Sequence, residues 1–280
     1  MRFRARLTDI SSIEQFTRVF GTIAKLTQLC VLRISKERMF FILNDKVAKG
    51  NLWCELQSMN LCSEYQMEGV AEDADEIYLE ITPDDLVRAL KTAQSAKSVK
   101  IKLTKKFTPC LSLEVELPSR TGHSRVITHD VPVTVIPKRL WSEYKEPKLP
   151  DFDITICMPP LKVLRTVTER MKNLGSYLEL SANQSGDMRL RVESEQVTVS
   201  THFRDLENPE WEGADSQSSQ TDPSGLVGAK VDIRKFIHFL SGQQLNPSRI
   251  VCSIVDNRII HFFLLHEDLS IQYSMPVIYS

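Results

Sequence analysis

No Gly-rich phosphate loop can be written over any of the ten glycines of this chain. Neither G-x-x-x-x-G-K nor G-x-G-x-x-G occurs, which removes the two commonest backbone cradles for nucleotide phosphates. The G-x-S-x-G nucleophile elbow is missing as well. The six histidines, His123, His129, His202, His238, His261 and His266, show no zinc-like spacing with one another or with cysteine, and His261 reads as a strand-face residue. The six cysteines, Cys30, Cys54, Cys62, Cys110, Cys157 and Cys252, lie singly and form no C-x-x-C pair. They read as buried, inert thiols of a reducing compartment, not as disulfides or metal ligands. No apolar run approaches the roughly 20 residues of a membrane span, and MRFRARLTDI lacks the apolar core of a signal peptide. Glu72 to Glu76 clusters carboxylates as a metal loop does, but reads as a solvated turn before a strand. Nothing here speaks for an enzyme, a cofactor or a metal.

What is present is an ordinary globular composition, 42% apolar and 25% charged over 280 residues, enough for one large domain or two ordinary ones. The organising stretch is Ile77 to Leu103. Ile77, Leu79 and Ile81 alternate with polar residues, as in a half-buried strand. Thr82 is placed to cap a helix, Pro83 suits its first position, and Asp84 and Asp85 complement its positive end. Leu86, Ala89, Leu90 and Ala93 share one helical face, with Arg88 and Lys91 opposite. Val99, Ile101 and Leu103 then return to alternation.

That unit recurs. FRARL is a strand, and Asp9 or Ser11 caps a helix with Ile13, Phe16, Phe20 and Ile23 inward and Arg18, Thr22 and Lys25 outward. CVLRIS, MFFILN, LWCELQ, SEYQMEGV and LSLEVEL read as strands. Residues 137–150 carry prolines among charges and read as a linker. The order then restarts. A strand precedes a helix with Leu161, Leu164, Val167, Met171 and Leu174 inward and Lys162, Arg165, Glu169 and Lys172 outward. YLELSA, MRLRVE and VTVSTHF are strands, and Asp205 to Gly228 reads as a flexible loop. Asp232 caps a fourth helix with Ile233, Phe236, Ile237 and Leu240 inward and Arg234, Lys235 and His238 outward. RIVCSIV, RIIHFFLL and LSIQYSMP close the chain as strands. The pattern predicts an α+β protein with two similar tandem domains, 1–136 and 151–280, joined by a connector over 137–150.

The four helices, with Lys97 counted in, hold eleven basic residues against five acids, an excess of about six in a chain of net charge −1. If both halves lay their helices on one side, one surface is basic and the other acidic. A basic helical surface suits a phosphate backbone held by charge and not read by base.

YQMEGV, DEIYLEIT, RALKTAQSAKSVKIKLT, THDVPVTVIPKRLW, SGQQLNP and LLHEDLSIQY, in that order, resemble the Hus-type subunit of the checkpoint sliding clamp, the Rad-nine, Rad-one, Hus-one ring. The resemblance spans essentially the whole chain and implies the fold of the PCNA clamps, with outer antiparallel sheets and inner helices. It implies a nuclear, non-catalytic subunit that joins two paralogous clamp subunits in a heterotrimer around duplex DNA. A clamp loader places that ring at damage sites, where it serves checkpoint signalling and repair proteins. A homotrimeric processivity clamp of the replication type is the alternative. The residues implied to face DNA are Arg18, Lys25, Arg88, Lys91, Lys162, Arg165, Lys172, Arg234 and Lys235. Edge strands pairing with neighbouring subunits are expected at Leu111, Leu113, Val115 and Leu117, and at Tyr177, Leu178 and Leu180. Ser216 and Ser219, each followed by Gln, resemble targets of checkpoint kinases.

Overall fold

The structure, a computed structural model, describes residues 1–45, 50–69, 75–118, 125–209 and 224–278. Ser216 and Ser219 lie outside the described residues, as do residues 72–74 of the acidic cluster. The chain forms two compact units, Met1–Asn44 with Trp53–Glu146 and Asp268–Ser270, and Asp45–Leu52 with Pro147–Glu267 and Ile271–Ser280.

In the first unit the strands are β1 (Arg2–Leu7), β2 (Cys30–Ile34), β3 (Arg38–Asp45), β4 (Gly50–Gln57), β5 (Glu64–Glu68), β6 (Ile77–Ile81), β7 (Ser98–Lys105), β8 (Pro109–Leu117), β9 (Arg125–Pro132) and β10 (Thr134–Val135). One sheet runs β5-β1-β7-β8-β9, and the other places β10-β6-β2-β3-β4 in order. The helices are α1 (Ile10–Leu26), a one-turn α2 (Ser58–Leu61) and α3 (Pro83–Leu90). The strand–helix–strand stretch therefore bridges two sheets, because β6 and β7 belong to different ones. α3 buries Leu86, Ala89 and Leu90, and Ala93 is buried in the turn that follows. α1 buries Ile13, Phe16, Val19, Phe20 and Ile23. Asp9 caps it, its carboxylate accepting from the Ser12 amide at 3.2 Å. Thr22, expected outward, is buried, and its hydroxyl donates to the Arg18 carbonyl at 3.0 Å. Lys97 lies beyond α3 and outside any helix.

In the second unit the strands are β11 (Ile154–Cys157), β12 (Tyr177–Ala182), β13 (Met188–Glu193), β14 (Thr198–Phe203), β15 (Val227–Asp232), β16 (Arg249–Val255), β17 (Ile259–His266) and β18 (Leu269–Met275). They form a sheet β14-β13-β12-β15 and a run β18-β17-β16-β11. The helices are α4 (Leu161–Met171) and α5 (Ile233–Phe239). α4 buries Leu161, Leu164, Thr168 and Met171. Leu174, expected inward, follows the helix end and is exposed, while Thr168 goes inside by donating its hydroxyl to the Leu164 carbonyl at 2.7 Å. Asp232 caps α5 as expected, accepting from the amides of Arg234 at 2.8 Å and Lys235 at 3.0 Å. β15 was expected to be loop as far as Gly228.

Two further expectations are corrected. β8 is not an edge strand: Leu111, Leu113, Val115 and Leu117 pair with β7 on one side and β9 on the other. β12 is equally interior, with Tyr177, Leu178 and Leu180 held between β13 and β15. A clean apolar alternation marks a strand with one face on the core, and says nothing about whether its two edges are taken. The connector also differs from a free linker. Lys138–Glu143 forms a 3-10 turn within the first unit, and the Trp141 ring stacks on Tyr78 with centroids 4.5 Å apart. Its indole N–H donates to the Ile136 carbonyl at 3.0 Å, and Trp141 and Tyr144 cover a cluster of Val31, Phe40, Ile42, Trp53, Tyr78 and Ile136.

All six cysteines are free, four of them buried, and burial pushes the Cys30 thiol up to about 12. His261 on β17 is buried, with Nδ1 2.7 Å from the Ser274 hydroxyl. Burial lowers its pKa from 6.5 to about 4, because charging the ring inside the core forfeits its hydration. The fold therefore holds the neutral form. Its contribution is complete above pH 6.5, where the unfolded chain is neutral too, and is lost as pH falls from 6.5 to about 4. Urea titrations between pH 7 and pH 4 should show His261→Gln losing on the order of 3 kcal/mol less stability than the native chain. Parallel losses in both would exclude this histidine as the cause.

Candidate nucleic-acid interface

Each of the four longer helices spends one side on packing, and the other side carries the cations. Arg18 and Lys25 stand on α1, Arg88 on α3 and Lys91 at its end; all are exposed. α1 and α3 pack against each other, which brings these four onto neighbouring helices of one unit. On the second unit Lys162, Arg165 and Lys172 follow α4, and Arg234 and Lys235 lie in the first turn of α5, which contacts α4. Lys162, Lys172, Arg234 and Lys235 are exposed and Arg165 is half-buried.

The acids beside them are few and local. Arg18 meets Glu14 at 2.9 Å and Arg88 meets Asp85 at 3.3 Å, both within their own helix. Glu169 serves Arg165, at 3.9 Å, and Lys172 together. The Lys172 ammonium beside it holds the Glu169 carboxyl below its ordinary pKa. Lys25, Lys91, Lys162, Arg234 and Lys235 have no ion-pair partner among the described residues. Such exposed pairs exchange readily with water and with other anions, so a phosphate oxygen can replace the carboxylate at little cost. Without a base-reading array, these contacts can only be sequence-independent.

The strands carry cations as well. Arg2, Arg4, Arg6, Lys100 and Lys102 lie on β1 and β7, and Arg189 and Arg191 on β13, away from the helices and among acids.

Two open strand edges escaped the sequence reading. In the five-stranded sheet β5 and β9 are the outer strands; among the described residues β9 pairs only with β8, with Ile127, His129 and Val131 half-buried or buried on one face and Val126, Thr128, Asp130 and Pro132 exposed on the other. RVITHDVP is rich in β-branched residues, but its polarity does not alternate, because Val126 stands on the exposed face and His129 on the half-buried one. In the four-stranded sheet, β14 and β15 are the outer strands. β15 is covered near the C-terminus, where Val277 bridges Val231 and the Ile278 amide donates to the Lys230 carbonyl at 2.8 Å. Among the described residues β14 therefore holds that sheet's open edge.

No described helix is long and apolar enough to cross a membrane. The family model described as "Hus1-like protein" matches residues 1–279. The human Checkpoint protein HUS1 is 47% identical over 280 residues, 99% of this chain and 100% of that protein. The Schizosaccharomyces pombe Checkpoint protein hus1 is 30% identical, over 90% of this chain and 88% of its own. The Drosophila melanogaster Checkpoint protein Hus1-like is 28% identical, with 99% of each chain covered. Among solved structures, the Proliferating Cellular Nuclear Antigen of Entamoeba histolytica superposes with a TM-score of 0.72 at 11% identity, covering 99% of both chains. That likeness gives the fold, a PCNA-like clamp fold of mostly antiparallel sheets with a few helices.

The helix-face acids should be dispensable for folding. Glu14→Gln and Glu169→Gln should each shift unfolding free energy by less than about 1 kcal/mol in urea titrations, as exposed pairs do. A larger loss from either would show that the cation beside it is committed to a structural bond.

Proposed function

The chain belongs to the Hus1-like protein family of checkpoint clamp subunits, and from that membership we propose that it is a non-catalytic subunit of a heterotrimeric ring that encircles duplex DNA. The observation that carries the reading is the division of each helix into a packed apolar side and an exposed cationic side. In the ring, the helices of each unit face the duplex through Arg18, Lys25, Arg88, Lys91, Lys162, Arg165, Lys172, Arg234 and Lys235. Closure makes strong contacts unnecessary. A threaded duplex leaves only by ring opening or over a DNA end, so weak exchangeable phosphate contacts keep the ring centred and let it slide.

Neighbouring subunits add strands to the open edges, β9 on one side and β14 on the other, where unpaired amides and carbonyls wait for a partner. The two neighbours are the paralogous clamp subunits of the Rad-nine and Rad-one types. The ring is loaded at damage sites in the nucleus and presents checkpoint and repair proteins to the DNA it holds. Residues 1–136 and 151–280 are then the two clamp domains, and 137–150 the connector. Ser216 and Ser219 are candidates for phosphorylation by a Ser-Gln-directed kinase.

Reversing four charges, with Arg88, Lys91, Arg165 and Lys172 all changed to Glu, should leave assembly with the two other subunits intact. It should release the loaded ring from circular DNA at least tenfold faster at low salt, with the difference shrinking as salt rises, because attractive phosphate contacts have been turned repulsive and salt screens both. Undiminished retention would remove the pore role of these helices. Sizing after co-expression tests the partners. The chain should elute with both paralogues in one heterotrimer, and Val126→Lys with Thr128→Lys on β9 should weaken that assembly about tenfold or more. A stable ring formed by the chain alone would replace the heterotrimer with a homotrimer.

A further inference from the structure

The solvent face of the five-stranded sheet contains an arrangement that strand pairing normally avoids. β1 and β7 run antiparallel with Arg4 directly opposite Lys102 and Arg6 directly opposite Lys100. Like charges in directly opposed positions destabilise a sheet, and here two such pairs are adjacent. The four-stranded sheet of the second unit does the reverse, setting Glu179 opposite Arg191 on one side and Lys230 on the other. Opposed cations are therefore not a general habit of this fold.

Two carboxylates serve the four cations. Glu64 on β5 lies 3.3 Å from Arg4 and 3.4 Å from Arg6. Glu114 on β8 lies 2.7 Å from Lys102 and 3.9 Å from Lys100. The quartet keeps an excess of two positive charges, with its side chains only 23% to 40% exposed. The Arg4 Nε is buried and has no hydrogen-bond partner. Burial, and then the charges of Lys102 and Arg4, hold the Lys100 ammonium below its ordinary pKa.

We propose that Arg4, Arg6, Lys100 and Lys102 form a binding site for a single phosphoryl group, carried by a phosphorylated side chain of a protein partner. Opposed residues on antiparallel strands stand about 5 Å apart, and positions two apart along a strand about 7 Å. Four cations in such a rectangle converge on one dianion. Its charge offsets the excess of two. The neighbouring acids decide the class of partner. Glu64 on β5 stands opposite Arg6 and Glu114 on β8 opposite Lys100, and Glu68 and Glu116 lie one position beyond the rectangle along those strands, opposite Arg2 and Ser98. A nucleic-acid backbone entering the rectangle would press its adjacent phosphates against these carboxylates, whereas a peptide with one phosphate would not. The site is independent of the ring reading, since it lies away from the helices and on neither β9 nor β14.

The test is fluorescence anisotropy with the full chain and a labelled Gly/Ala peptide bearing one phosphoserine. The unphosphorylated peptide serves as control, with inorganic phosphate and a short DNA duplex as competitors. The phosphopeptide should bind at least tenfold tighter than its control, inorganic phosphate should displace it, and the duplex should not. Lys100→Gln with Lys102→Gln should abolish that difference while the chain still melts cooperatively, because the change relieves repulsion. Lys105→Gln with Arg125→Gln, removing two cations outside the rectangle, should leave binding unchanged. If the first variant melts without cooperativity, Arg6→Gln replaces it, with a loss of at least threefold expected. Equal binding of the two peptides, equal loss in the two double variants, or displacement by the duplex would each overturn the assignment.

Discussion

The arrangement of this molecule rests on the need of each helix to bury one side against sheet. On α1 that side is Ile13, Phe16, Val19, Phe20 and Ile23, and on α5 it is Ile233, Phe236 and Ile237. Each such side chain contributes roughly 1.5–3 kcal/mol when fully buried, against at most about 1 kcal/mol for an exposed ion pair. Packing therefore sets the rotation of every helix about its axis, and the charges have no vote. The exposed positions are left free of structural duty, which lets them all be cationic at almost no cost in stability. The few acids among them sit in helical pairs such as Glu14 with Arg18 and Glu169 with Lys172.

Where another chain can pair with this one is settled by a second constraint, the fate of sheet edges. Interior strands such as β8 and β12 have every ladder bond made within the unit. β15 could have been open, but the segment around Val277 and Ile278 bonds to it. β15 also lies unusually near β12. A Cβ on Gly228 would stand 2.6 Å from the Leu180 carbonyl oxygen and 2.5 Å from the Ser181 Cβ, so only glycine permits that pairing. Among the described residues β9 and β14 are left as open edges, with the shorter β5 the other outer strand of the five-stranded sheet, and an edge of this kind is a template for another strand.

The sequence made the helices and most core strands legible because both follow a period. Every buried residue expected on α3 and α5 is buried, and Asp9 and Asp232 cap the helices they precede. The misses have separate physical origins. β9 does not alternate in polarity because an apolar Val126 lies on its exposed face and a polar His129 on its half-buried one, and β15 opens beside residues that read as loop. Thr22 and Thr168 went unread as core because a threonine hydroxyl can be satisfied by the carbonyl one turn back, which lets a polar residue take an apolar position. The connector was read as linker because its large apolar groups do not recur at any period; Trp141 and Tyr144 nonetheless find a place on the cluster around Tyr78. Of the candidate site, the helix cations were visible in the pattern. The opposed cations of β1 and β7 were not, since Arg4 and Lys102 are about a hundred residues apart and only the strand register brings them together.

The two cationic surfaces differ in what they can hold. On the helices the cations stand apart, in water, and several have no partner. A field of that kind is shallow and extended, it attracts a long polyanion without fixing its register, and salt screens it readily. On the sheet, four cations are forced within a few ångströms of one another, half withdrawn from water, with two carboxylates tied among them. A field of that kind is deep and local, screened less, and flanked by negative charge that limits the length of its guest. Charge count alone would not separate the two surfaces. Spacing and hydration do, and both are set by secondary structure, since an amphipathic helix spreads its outward residues around an exposed arc while antiparallel strands press theirs into facing rows.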